Sequence, residues 1–170
     1  MSTFEGVMYQ VLFVCTANIC RSPLAEAILS KIIFDENLEK ELISESCGIW
    51  ATEGQQVSRL ARLVAEENGL DLSQHRSKPI SLHLMKSSNL ILCMTPSHKM
   101  DLLQIFPHYE HKIFTLKEFG RECKPIRLSI DDPIGMTLNF YRRIFNEIQQ
   151  EILRTWPLIR QEAFAQIDSK

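Results

Sequence analysis

The sequence predicts an α/β fold: one doubly wound domain, with a four-stranded parallel sheet and helices on both faces. Three observations lead there. Four short runs read as strands, and the first, Val7 to Val14, is almost continuously apolar, as a strand buried on both faces must be. Segments with apolar residues three and four apart separate these runs, which implies right-handed βαβ crossovers and hence parallel pairing. The chain of 170 residues has no repeat, low-complexity tract or Pro/Gly/Ser linker, so one domain spanning 1–170 is expected.

The elements follow in order. After the first strand comes a polar loop, then Ser22-Pro23. Proline is favoured in a helix's first turn, and Ser22 reads as its N-cap. Leu24, Ala27, Ile28 and Ile32 carry the helical spacing to about Phe34. Leu42 to Cys47 is a second strand, ended by Gly48. Ser58 to Asn68 is helical through Leu60, Leu63 and Val64, with Gly69 as its stop. Asn89 to Met94 is the third strand, Ser97 to Phe106 a helix closed by Pro107, and Lys112 to Leu116 the fourth strand. The longest helical pattern runs from Met136 to Trp156, with Phe140, Ile144, Phe145, Ile148 and Ile152 on one face. Pro157 is expected to kink or end it. Residues 1–6 and about 158–170 are expected to fray.

In a doubly wound sheet, ligands sit at the carboxyl ends of the strands. The first strand delivers Cys15 to that edge. Thr16, Ala17, Asn18, Ile19 and Cys20 then lead to Arg21, and a helix begins at Ser22-Pro23. A loop of successive N–H groups ending at a helix N-terminus makes an anion hole, so this segment reads as a phosphate-binding loop. Arg21 adds a planar fork able to hold two phosphoryl oxygens. The same positive field favours the thiolate of a cysteine placed there, and a thiolate facing phosphorus is a nucleophile.

Bulk properties narrow the partners. A net charge of −2 gives no basic excess for nucleic acid. No window approaches the ~18 apolar residues of a transmembrane helix, and no leader is visible at Met1-Ser2-Thr3-Phe4. Five cysteines, an odd number, suggest reduced thiols and a cytoplasmic location. Cys15-x4-Cys20 lacks zinc-ligand spacing, so no metal and no other cofactor is expected. Cys47, Cys93 and Cys123 lie in or beside apolar runs and read as inert. Nothing demands an oligomer, and a monomer is expected.

Val14-Cys15-x5-Arg21-Ser22-Pro23 near the start of the chain, together with Asp132-Pro133 late in it, resembles the low-molecular-weight protein tyrosine phosphatases. The resemblance implies a cysteine-dependent phosphatase acting on phosphotyrosine in proteins. Cys15 would form a phosphocysteine, Arg21 would bind the phosphoryl group, and Asp132 would act as general acid and then base. Ser22 would donate to the sulfur, and Asn18 would brace the loop, with Ser46 and His75 as outer partners. Thr16, Ala17, Ile19 and Cys20 would complete the phosphate loop. Cys20 would be a redox partner, forming a reversible disulfide with Cys15. Free phosphate and other oxyanions would inhibit by occupying the loop, and the expected partner is a phosphorylated protein substrate.

The chain also departs from the family's pattern. Ala17 stands where glycine is more usual; were φ > 0 needed there, alanine would cost about 1 kcal/mol. Ile134 follows Asp132-Pro133 where the animal enzymes have tyrosine, so the substrate wall would fall to Ile134 or to Trp50. A bacterial branch acting on phosphoarginine has Asp-Pro followed by an apolar residue and glycine, as here, but favours threonine at the position of Ile19. Phosphoarginine hydrolysis is therefore the alternative. Arsenate reduction needs two more thiols after the third strand, and Cys93 and Cys123 are poorly spaced for it. A non-catalytic phosphate-binding or redox-sensing module would keep the loop but would not need Asp132.

Overall fold

The computed structural model describes residues 8–169. Its elements are β1 (Tyr9–Cys15), α1 (Arg21–Asp35), β2 (Leu42–Gly48), α2 (Arg59–Glu67), α3 (Leu82–Ser87), β3 (Leu90–Cys93), α4 (Pro96–Ile105), a 3₁₀ turn (Pro107–Lys112), β4 (Ile113–Thr115) and α5 (Leu138–Asp168). The four strands form one parallel sheet in the order β2-β1-β3-β4. This is the predicted α/β architecture.

β1 is buried at every position, because it has a strand on each side and helices above and below. Successive strand side chains point to opposite faces. Val11 and Phe13 join Leu24, Ile28, Ile144 and Ile148 in the larger core, under α1, α2 and α5. Leu12 and Val14 join Leu84, Met85 and Leu102 in the smaller core, under α3 and α4. The register puts Phe13 between Ser46 and Leu92, and brings Cys15 level with Gly48 at the carboxyl edge.

Several expectations change. The strand begins at Tyr9 and runs to Cys15, and residues 1–6 lie outside those described. α1 begins at Arg21, one turn position before Ser22, and Cys20 occupies the cap position without a side-chain bond. Ser22 is not the N-cap, because its hydroxyl is committed to Cys15. α3 and the 3₁₀ turn have too few residues to display a period; only Leu84 and Met85 of α3 are buried.

The largest change is at the C-terminus. α5 continues through Pro157 to Asp168 instead of ending at the proline. An internal proline removes one helix hydrogen bond and costs about 3 kcal/mol. Contacts on both sides of it offset that cost. Trp156, Ile159 and Ala163 are buried, and Trp156 Nε1 donates to Glu36 at 2.8 Å. Tyr9 donates to Glu162 at 2.6 Å, and Asn89 to Gln166 at 2.7 Å, tying the last turns to the sheet.

Candidate active site

Cys15 ends β1, and the chain reverses over the next five residues before α1. The reversal is made at Asn18, whose φ is +57°. Asparagine tolerates this left-handed conformation better than most residues. Ala17 is not in that region, so the strain considered for it does not arise. The Asn18 amide donates back to Cys15 Sγ at 3.3 Å, which closes the loop around the sulfur.

The Asn18 side chain is fully used. Nδ2 donates to Ser22 Oγ at 2.9 Å and to Ser46 Oγ at 2.8 Å, while Oδ1 accepts from the Lys78 amide at 3.0 Å. The Lys78 contact fixes which way the amide faces, since a backbone N–H can only donate. Ser46 Oγ in turn donates a hydrogen bond to Glu26 Oε2. His75 Nε2 donates to the Asn18 carbonyl at 2.9 Å. His75 Nδ1 lies 3.9 Å from Glu26 Oε2, and burial lowers the His75 pKa. Burial raises the Glu26 pKa, against the bond from Ser46.

Gly48 explains how the loop comes so close to β2. A Cβ there would stand 2.5 Å from the Thr16 carbonyl oxygen and 2.9 Å from the Asn18 nitrogen. Ile49 and Trp50 then donate their amides to Cys15 and Thr16 at 3.0 and 2.9 Å, so the turn after β2 is stitched to the loop's rim.

Ser22 Oγ lies 2.9 Å from Cys15 Sγ and 3.2 Å from the Cys47 carbonyl. Oγ already accepts from Asn18, and its one proton can go to the sulfur or to the Cys47 carbonyl. A thiolate here would have two donors, the Ser22 hydroxyl and the Asn18 amide.

Arg21 is almost wholly buried. Nη1 donates to the Ile130 carbonyl at 2.9 Å, and Ile130 is held by its amide to Met94 at 2.8 Å. That anchors one edge of the guanidinium. On the other edge, Nε has no partner among the described residues, and Nη2 makes only long contacts, 3.4 Å each, to Thr16 Oγ1 and Asp132 Oδ2. The Nε/Nη2 edge has the spacing to bind two oxygens of one phosphoryl group. A cation in the first turn, no side-chain cap and no acidic residue leave the N-terminus of α1 strongly positive, a local cost that a bound anion removes.

Of the adjacent aspartates, Asp132 faces Arg21, while Asp131 is drawn away by Arg127 and by Arg143 at 3.2 Å. Ile134 bonds its amide to Asp132 Oδ1 at 3.2 Å. Ile134 and Trp50 are both exposed, on segments tied to the acid and to the loop rim respectively. Ile19 is half-buried against the core.

Cys20 is buried. Its Sγ lies 3.1 Å from Ser58 Oγ and 3.4 Å from the Tyr141 hydroxyl, and burial raises its pKa. Cys47 and Cys93 are fully buried, with pKa values raised by desolvation, but Cys123 is exposed and not part of an apolar run. Among the described residues no cluster of His, Cys, Asp or Glu could hold a metal ion, and no helix is long and apolar enough to cross a membrane.

A family model described as low molecular weight phosphotyrosine protein phosphatase matches residues 10–163. The chain belongs to this family. It is therefore a phosphomonoester hydrolase by descent. It is 35% identical over 147 residues to a protein-arginine-phosphatase of Geobacillus stearothermophilus, covering 86% of this chain and 93% of that one. It is 33% identical over 145 residues to a low molecular weight protein-tyrosine-phosphatase, PtpB, of Staphylococcus haemolyticus, covering 82% and 91%. Among solved structures it resembles a YwlE arginine phosphatase, a cysteine-to-serine mutant with a phosphorylated active-site serine. The TM-score is 0.77 at 31% identity, covering 92% of this chain and 94% of that one.

Some residues of the candidate site carry no local signal in the sequence. Glu26, Lys78, Ser58 and Tyr141 support the loop but come from elements far apart in the chain. His98 is another: it is buried in the first turn of α4, and its Nε2 lies 2.9 Å from Thr16 Oγ1. A signal existed for His98, because α4 starts at the carboxyl end of β3, on the same sheet edge as Cys15.

Proposed function

We propose that the chain is a cytoplasmic, monomeric protein phosphatase that hydrolyses phosphotyrosine, and aryl phosphates with it, through a phosphocysteine. One observation carries this reading: Cys15, Ser22, Arg21 and Asp132, from three separate segments, share one cluster. Arg21 and the amides of Thr16, Ala17, Asn18, Ile19 and Cys20 hold the phosphoryl group. Cys15 Sγ attacks phosphorus. The S–P bond forms as the P–O bond breaks, and the leaving oxygen takes the electron pair and a proton from Asp132. Asp132, now a carboxylate, takes a proton from water, which attacks phosphorus. The S–P bond breaks, phosphate leaves, and the Ser22 hydroxyl stabilises the returning thiolate. Asn18, Ser46 and His75 hold the loop in shape. Phosphate and related oxyanions inhibit by occupying the same cradle, and no metal or cofactor takes part.

The apolar rim supports an aromatic leaving group. Trp50 and Ile134 are exposed near the loop, and Ile19 offers no hydrogen bond to a guanidinium. Phosphoarginine is the second reading, favoured by the 35% identity to a protein-arginine-phosphatase and by a carboxylate, Asp132, at the mouth. Turnover of phosphotyrosine and phosphoarginine peptides by the same preparation separates them. Higher kcat/KM on phosphotyrosine is expected, and activity confined to phosphoarginine would replace the first reading with the second. Under peroxide, Cys20 is expected to form a disulfide with Cys15, which peptide mass mapping detects.

A further inference from the structure

His98 meets the site through Thr16, and the phosphoryl-transfer chemistry assigns it neither a tautomer nor a use. Its Nε2 is 2.9 Å from Thr16 Oγ1, while its Nδ1 is buried with no hydrogen-bond partner among the described residues. The ring can meet Thr16 in two ways. With the proton on Nδ1, Thr16 donates to Nε2, and a buried N–H is left without an acceptor. With the proton on Nε2, the ring donates to Thr16, and only a lone pair is left bare. Orphaned buried N–H groups are the rarer and costlier case. A third state, the imidazolium, would place a second cation beside Arg21 and in the first turn of α4. Burial and Arg21 both oppose it, with only Asp132 pulling the other way.

The second tautomer has a consequence at Thr16. Its Oγ1 accepts from His98 Nε2, and Arg21 Nη2 approaches it at 3.4 Å. A hydroxyl oxygen has two lone pairs and one proton. With both lone pairs facing donors, the proton must point elsewhere. Thr16 is half-exposed and shares Arg21 Nη2 with Asp132, so the proton is presented at the mouth of the cradle.

We propose that His98, as its neutral Nε2–H tautomer, is a positioning residue that turns the Thr16 hydroxyl into an additional donor to the phosphoryl group. This rests on the reading of the Cys15–Arg21 loop as a phosphate site. His98 touches no substrate; Thr16 does.

The test measures inorganic phosphate affinity and aryl phosphate turnover for the full chain and for Thr16→Val, His98→Leu, His98→Gln and Thr16→Val/His98→Leu. Thr16→Val is expected to weaken phosphate binding roughly tenfold or more, the range for a bond to a charged group. His98→Leu loses a smaller part of the same effect, and the double variant is no worse than Thr16→Val, since both break one chain of bonds. His98→Gln, which keeps a donor, recovers most of the loss. Nitrogen-15 NMR of the imidazole in the unmodified protein reads the tautomer directly and needs no variant to fold. A proton on Nδ1, a Thr16→Val variant with unchanged phosphate affinity, or additive losses in the double variant would each overturn the proposal. Turnover by the unmodified protein with unchanged phosphate affinity in Thr16→Val sinks this inference alone; neither phosphate binding nor turnover in the unmodified protein sinks the phosphatase reading beneath it.

Discussion

Arg21 Nη2 lies 3.4 Å from Asp132 Oδ2, and the two side chains differ sharply in exposure, 5% against 51%. The cation is locked: its other edge is bound to Ile130 inside the core. The carboxylate belongs to an irregular segment between β4 and α5, where it is half-exposed and Oδ1 accepts from the Ile134 amide. One partner thus suits a fixed phosphate clamp, and the other suits a group that must exchange protons with a leaving group and with water.

Asp132→Asn is expected to slow hydrolysis of aryl phosphates by roughly 10²–10⁴-fold, with the largest loss for the poorest leaving groups. Asp131→Asn should have little effect, because Asp131 is engaged by Arg127 and Arg143. Kinetics across a series of leaving groups measures both. A larger loss in Asp131→Asn would assign the acid to the wrong residue.

Asn18 carries the loop both by its backbone and by its amide. Asn18→Ala loses three hydrogen bonds, two of them buried, and puts alanine at φ +57°, so a loss of about 3 kcal/mol is expected in urea unfolding. Asn18→Gly should recover about 1 kcal/mol by accepting that dihedral angle. Equal stability of the two variants would mean that the turn costs nothing.

Gly48→Ala forces a methyl group against the Thr16 carbonyl and the Asn18 amide. A displacement near 1 Å in the loop should lower kcat/KM about 10²-fold, with weaker phosphate affinity alongside it. Unchanged kinetics would show that the loop does not depend on its close approach to β2.

Stability should fall on mild acidification. Burial pushes the His98 imidazole down from 6.5 to about 4, with Arg21 adding to the shift and Asp132 opposing it. Between those values the unfolded chain binds a proton that the folded chain refuses. The contribution is therefore present above about pH 6.5 and lost as pH falls toward 4, roughly 3 kcal/mol for this residue. The half-buried His75 adds a loss of the same sign. Urea unfolding of the unmodified protein and of His98→Gln measures the slope, which should be shallower in the variant. A steeper slope in His98→Gln would contradict the assignment.

The sequence made the sheet readable because β1 and β3 are apolar runs and because α1, α2 and α5 bury apolar residues at helical spacing. It made the loop readable because Cys15 to Ser22 lie within eight consecutive positions. The continuation of α5 was hidden, since the local cost at Pro157 is visible in sequence while its compensation, through Trp156, Ile159 and Glu162, is tertiary. Glu26, Lys78 and His98 were hidden for the same reason: each matters only through a partner brought near by the fold. The N-cap at Ser22 was misread because a serine before proline has a local use, and the sulfur that claims it arrives from β1.

The most direct test of the phosphocysteine mechanism is rapid acid quench during turnover of p-nitrophenyl phosphate, followed by mass spectrometry of the peptide that carries Cys15. One phosphoryl group on Cys15 is expected, accumulating further in Asp132→Asn, where the attacking water lacks its base, and turnover is expected to be lost in Cys15→Ser. Sustained turnover by Cys15→Ser, or a phosphoryl group found only on another residue, would contradict the account.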